Sequence, residues 1–326
     1  MRPLLLTMLL SVAACGDTAG WTVPFPDLDR VLLSVDARAS NEVYAVGGAL
    51  SSGGDALFLH YDGSVWHSIP VNTQATLWWV FALSPTDVYT VGEQGSIWHY
   101  DGTTMTPMTS GTDRTLYGVW GTSDDDLWAV GGKPGSDGVL LHKDTSGWTV
   151  QPAPVPFAAY FKVWGTSSSD VFVCGEGGTV IHFDGHTWTS QPTGEPASTT
   201  LFTVAGRSPT DVYAVGGFGH PVALHYDGTA WSPVSDPTLG TASSLAGVAV
   251  DTDGTVVMVG ASGTRLRGHP GSLTDDTDFP PRDDLHAAAI LHGEIFTVGG
   301  NYISPPGSAR HGVLAHFGPA ISSTLK

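Results

Sequence analysis

Cysteine is nearly missing from this chain of 326 residues: there are two, Cys15 and Cys174, so no framework of disulfides can hold the fold together. Basic residues are scarce as well. Lys and Arg number 13 against 31 Asp and Glu, for a formal net charge of −18, which argues against nucleic acid or an anionic membrane surface as partner. After the first fifteen residues no apolar run approaches the ~20 residues that a membrane-crossing helix needs. The G-x-S-x-G elbow, H-E-x-x-H, the Walker loop and the dinucleotide fingerprint are all absent, so no catalytic residue can be named from a motif. What the chain has in quantity is turn formers, 42 Gly and 22 Pro. With β-branched and aromatic residues between them, these point to all-β structure rather than disorder.

The first residues, MRPLLLTMLLSVAAC, have one positive charge, an apolar stretch and small residues before Cys15, the layout of a secretory signal. Val12-Ala13-Ala14-Cys15 resembles the bacterial lipobox, which implies a signal peptide over residues 1–14, lipidation at Cys15 and a short tether over residues 15–19. Gly16 follows the cysteine, which favours the outer membrane over retention at the inner one. Cys174 then has no disulfide partner. It stands in VFVCG where other repeats have Val, as a small buried hydrophobe with no basic neighbour in its strand to activate a thiolate.

Internal repetition dominates the rest. VYAVGG, VYTVGE, LWAVGG, VFVCGE, VYAVGG, VVMVGA and IFTVGG align a glycine at 47, 92, 131, 175, 216, 260 and 299, at intervals of 45, 39, 44, 41, 44 and 39 residues. Each unit holds an apolar run, a Ser/Thr/Asp turn, a β-rich run closing on the glycine, and a third run. In several units that third run ends in His-aromatic-Asp-Gly, and a Trp (Trp66, Trp188, Trp231) opens a fourth. Four short strands per repeat of this length predict a seven-bladed β-propeller over residues 20–318, with a tail over 319–326. The seventh unit stops without its Trp strand, and GWTVPFP at residues 20–26 supplies it. Closing the last blade from both chain ends leaves no open sheet edge.

The repeat resembles kelch-type propellers, with Gly-Gly at 47–48, 131–132, 216–217 and 299–300 but not at Gly92, Gly175 or Gly260. VYAVG with HYDGxxW is more similar still to repeat lipoproteins of Gram-negative bacteria. The Asp-box of sialidases is only loosely similar, since here Asp and Gly adjoin, and none of the nine arginines falls at the matching blade positions that a three-arginine clamp would require.

The turns between strands one and two (S-x-x-D) and between three and four (Asp-Gly) are nearly constant and belong on one face of the disc. The opposite connections vary in length and are where binding is expected. Only a few residues link Trp21 to Cys15, a reach of at most ~17 Å. Lipidation would therefore hold the constant face near the membrane and turn the variable loops outward. On those loops Phe218, His220, Tyr302, Arg310, His311, Lys133, Glu93 and Glu176 are the candidate ligand-binding residues. His60, His99, His142, His182, His225 and His316, with Arg267 in the sixth unit, repeat at one strand-three position. Spread round a ring, they cannot converge on a metal, and a structural role is expected. Asp62, Asp101, Asp184 and Asp227 are expected in hairpin turns rather than as a glycosidase pair. DTDG at 251–254 and DDTD at 275–278 look faintly like calcium loops but lack the full ligand pattern.

The sequence therefore predicts a monomeric, lipid-anchored envelope protein that binds or scaffolds an envelope protein or a glycan, with no cofactor and no metal. A glycan-active hydrolase or lyase with its site in the channel, and an envelope assembly factor, are the alternatives.

Overall fold

A computed structural model of the protein describes residues 19–48, 54–302 and 310–326. The signal segment with Cys15, and parts of the first and seventh variable loops, lie outside the described residues. Twenty-eight strands form seven four-stranded antiparallel sheets, the seven-bladed propeller expected. Blade two is representative: its strands run Leu77–Ser84, Asp87–Gly92, Ile97–Tyr100 and Met105–Met108 from the inside outward. The inner strands of the other blades are Val31–Ala39, Thr115–Ser123, Tyr160–Ser167, Leu201–Ser208, Leu245–Val250 and Leu285–Leu291. Blade seven takes its outer strand, Gly20–Leu28, from the front of the chain, where Trp21 pairs with Phe317 and Leu28 with Gly312.

Second strands such as Asp87–Gly92 are buried at every position but the first, because each blade is covered on both faces by its neighbours. The core is correspondingly divided into clusters that bridge adjacent blades. One joins Leu57, Leu59 and Trp66 of blade one to Phe296, Val298 and Leu314 of blade seven.

The aligned glycine has a steric cause. A Cβ at Gly92 would stand 2.2 Å from the Thr76 carbonyl oxygen, and one at Gly216 would stand 2.0 Å from that of Thr200; the other five meet the equivalent carbonyl at 1.9–2.3 Å. Immediately opposite, every inner strand carries a β-bulge, between Leu77 and Trp79 in blade two and at the matching place in the other six. The glycine admits the backbone that the bulge pushes outward, and the bulge re-aims one side chain per blade.

The hairpin turns follow the residue pattern. Asp62, Asp101, Asp184 and Asp227 each accept two backbone N–H bonds from the residues that follow. The Asp-Gly and S-x-x-D turns share one face, since Gly102 lies against Thr86 and Gly228 against Thr210.

The last residues do more than trail. Leu325 bridges in parallel to Trp66, and backbone bonds join Trp66 to Thr324, and Ser68 and Trp66 to Lys326, at 2.8–2.9 Å. Ile321 packs on the cluster between blades one and seven. The C-terminus thus covers the outer edge of blade one and ties it to the closing blade.

Three outcomes follow in urea unfolding. Deleting residues 20–26 opens blade seven and lowers stability by several kcal/mol, since truncating the buried Phe25 alone costs about 3–5. Removing residues 324–326 costs about 1–4 kcal/mol for three lost backbone bonds. Gly216→Ala costs about 2 kcal/mol or more through its clash with the Thr200 carbonyl. Unchanged midpoints would refute these assignments.

Candidate functional site

The seven bulges place Leu33, Trp78, Tyr117, Phe161, Phe202, Ala246 and His286 at equivalent positions on the inner strands. On the variable-loop face, all of these except Leu33 line one cavity of about 410 Å³, together with Tyr302, Phe218, Glu176, Lys162 and Pro134. Their rings touch in sequence round the channel. Tyr302 meets His286 edge-on at 5.2 Å between centroids, His286 meets Trp78 at 5.6 Å, Trp78 meets Tyr117 at 5.2 Å, Tyr117 meets Phe161 at 5.2 Å, Phe161 meets Phe202 at 5.6 Å, and Phe202 meets Phe218 at 4.9 Å. Seven rings in edge or tilted contact make an apolar collar with polar tips, a surface that stacks on ligands at low entropy cost.

Beneath the collar lies the buried Lys162 of blade four. Its ammonium donates to the Tyr117 carbonyl of blade three at 2.9 Å and sits 4.3 Å over the Trp79 ring of blade two. Trp79 lines a deeper chamber of about 330 Å³ that also holds Asp36 and Arg38, so Lys162 marks the waist between the two. Burial lowers the Lys162 pKa to about 7. His286 is pushed down to about 3 by burial and by the charge of Lys162, with a hydrogen bond to the Leu33 carbonyl opposing, so the collar imidazole is neutral at physiological pH.

The eight loop residues singled out in the sequence divide. Tyr302, Phe218 and Glu176 line the mouth. Glu176 accepts from the backbone N–H groups of Gly135 and Ala159 at 3.0 Å, and Glu93 does the same for Thr76 at 3.0 Å; both carboxylates clamp loops to inner strands. Arg310 donates to the Asn301 carbonyl at 2.6 Å and so folds back on its own loop, while His311 binds Asp283 at 2.6 Å and ties that loop to the segment entering blade seven. Lys133 is exposed beside Pro134, and His220 is exposed beside Phe218 and Gly219.

The repeated histidines are spread round the ring. His60, His99, His142, His182 and His225 each bind the carboxylate that opens strand two at 2.7–2.9 Å. They and His316 all lie over an aromatic ring, 4.2–4.7 Å between centroids. Arg267 instead pairs with Asp276, which also accepts from the Trp21 indole at 2.9 Å and so locks the closing strand to blade six. Asp251 accepts from Gly293 and Thr252, and Asp253 from Thr255, while Asp275 accepts from Thr277. Among the described residues no cluster of three or more His, Cys, Asp or Glu is arranged to hold a metal. Cys174 is buried, and burial raises its thiol pKa to about 12.

Five of the seven rings, Trp78, Tyr117, Phe161, Phe202 and His286, lie on inner strands and not on the long loops to which the sequence points. The collar leaves a trace there: the bulge position follows an aligned apolar residue in LW, LY, YF, LF, LA and LH. Alternation alone assigns that residue to a blade interface, and only the bulge turns it into the channel.

No protein-family model matches the chain, and no curated protein does. Solved structures do. YCF48 bound to D1 peptide superposes with a TM-score of 0.66 at 13% identity, over 92% of this chain and 97% of that one. YCF48 from Cyanidioschyzon merolae gives 0.67 at 13% over 92% and 99%. The WD40 β-propeller domain of Doa1 gives 0.68 at 12% over 91% and 97%. At these identities the likeness concerns the fold alone.

His316 differs from the other five histidines. It is fully buried, neither ring nitrogen has a hydrogen-bond partner, and Glu294 lies 4.0 Å away. Burial lowers its pKa to about 4. The unfolded chain takes up a proton near pH 6.5 that the native state refuses, so stability present above pH 6.5 is lost as pH falls toward 4. His316→Leu should remove on the order of 2 kcal/mol of this acid loss while leaving stability at pH 7.5 nearly unchanged. Equal acid sensitivity in thermal melts of both proteins would count against the assignment.

Proposed function

We propose that this protein is a non-enzymatic envelope-binding module, lipid-anchored through Cys15, that grips a protein partner at the mouth of its propeller channel. The observation that carries the reading is the continuous collar from Tyr302 through Trp78 and Phe161 to Phe218. Rigid aromatic rings clustered at the centre of a face are the usual anchors of a binding surface. Phe218, 70% exposed, carries the apolar surface of the collar outward from Phe202. One fold neighbour is described as bound to a peptide, which supports a polypeptide as ligand for a propeller of this shape. The segment ending VAAC supports export and lipidation, and the outer membrane is the proposed site. The closing strand runs from the constant face at Gly20 to the variable face at Leu28, which supports a collar facing away from the anchoring membrane. An envelope assembly factor would use this same surface.

Random peptide display on the purified protein should enrich sequences with an aromatic or aliphatic anchor, and Phe202→Ala with Phe218→Ala should weaken them by about tenfold or more. Enriched peptides indifferent to both substitutions would sink the collar as the site. Cys15→Ser should release the protein from membranes with its fold intact, and continued membrane association would refute the anchor.

A further inference from the structure

Polar groups in the channel mouth are unevenly matched. Lys162 is 3% exposed and carries three N–H donors, yet its one hydrogen-bond acceptor is the Tyr117 carbonyl. Among the described residues no carboxylate lies within ion-pair distance of it, whereas the other buried cations are fully engaged. Lys143 pairs with Asp124, and Arg265 reaches the carbonyls of Gly263, Phe279 and Pro281. The indole N–H of Trp78, in the collar above, is also buried without an acceptor. The carboxylate in the wall, Glu176, already accepts from two backbone N–H groups. The mouth therefore holds an ammonium with unmatched donors and no carboxylate paired to it, and a buried donor left unmatched costs about 1–3 kcal/mol, more when charged.

Aromatic collars alone are suited to cations. Here the ammonium at the waist opposes a cationic guest, and no free carboxylate offsets it. A phosphate dianion would call for more than one cation and a ring of donors. One ammonium, one indole N–H and a wall of rings fit a singly charged planar acceptor attached to an apolar group.

We propose that the mouth cavity binds a ligand segment ending in a carboxylate, with its apolar or aromatic part against Trp78, Phe161 and Phe202 and the carboxylate on the Lys162 ammonium. This rests on the collar being the binding site and names what it selects. A peptide C-terminus and a small organic acid share that chemistry.

The test uses the full chain in detergent at pH 6 and two probe pairs, 3-phenylpropanoate against 3-phenylpropanamide and acetyl-Leu-Phe with a free carboxylate against its amide. Affinities are measured by calorimetry on wild type, Lys162→Met and Phe202→Ala. Wild type should bind the acid about tenfold tighter than the amide, Lys162→Met should reduce that preference to about twofold or less with amide binding kept, and Phe202→Ala should weaken both. A preference in the dipeptide pair alone assigns a peptide C-terminus, and one in both pairs admits small acids. Equal affinity for acid and amide in wild type, or a preference that survives Lys162→Met, overturns the proposal but leaves the collar reading intact if Phe202→Ala still weakens both. Failure of every probe to bind overturns the proposal, and peptide display then decides the collar reading separately.

Discussion

Seven times in this molecule a backbone carbonyl at the entry to an inner strand lies where a Cβ of the neighbouring strand would have to be, and seven times the neighbour is glycine. That contact explains the repeat signature, since no other residue admits the approach. It also creates the channel mouth. An inner strand that bulges at a fixed place releases one side chain from the sandwich between blades and turns it toward the axis. Had the ladder continued without the bulge, Trp78, Tyr117, Phe161 and Phe202 would have been four more interface residues. The fold's most repetitive feature and its least repetitive surface are thus two sides of one backbone arrangement.

Closure is the second constraint. A ring of sheets held only by packing between neighbours is weakest where the chain begins and ends. Here the seam is fastened three ways: the Gly20–Leu28 strand completes blade seven, Trp21 binds Asp276 of the adjoining loop, and the tail pairs with the outer strand of blade one. A closed rigid ring lets loops of unequal length vary on one face without disturbing the collar beneath them. It also tolerates a lysine at the waist, a group that a softer core would expel or pair.

The repeated histidines show how regularity separates structure from function. A side chain that recurs in six blades at one register position meets the ring of its cross-strand neighbour each time, and in five of the six it also binds the carboxylate opening strand two. Function is sought where the pattern breaks. Lys162 stands where the other inner strands have Ser34, Trp79, Gly118, Thr203, Gly247 and Ala287, and it is the one position of the seven with a formal charge.

Blade count, strand order, hairpin turns and the displaced closing strand were all legible in the sequence, because each rests on local spacing: a period near 42 residues, Asp-Gly turns, and a fourth strand missing at one end and present at the other. Of the candidate site, Tyr302, Phe218 and Glu176 were legible as irregular residues in variable loops. Glu93, Arg310 and His311 shared that irregularity, yet their side chains hold loop backbone or a neighbouring Asp, which no one-dimensional pattern distinguishes. The collar, the unmatched ammonium of Lys162 and the covering of blade one by the C-terminus were decided only in three dimensions. Each depends on residues from several blades converging on one axis or one edge, and the order of residues along a strand does not contain the point at which a bulge turns one of them away from its neighbours.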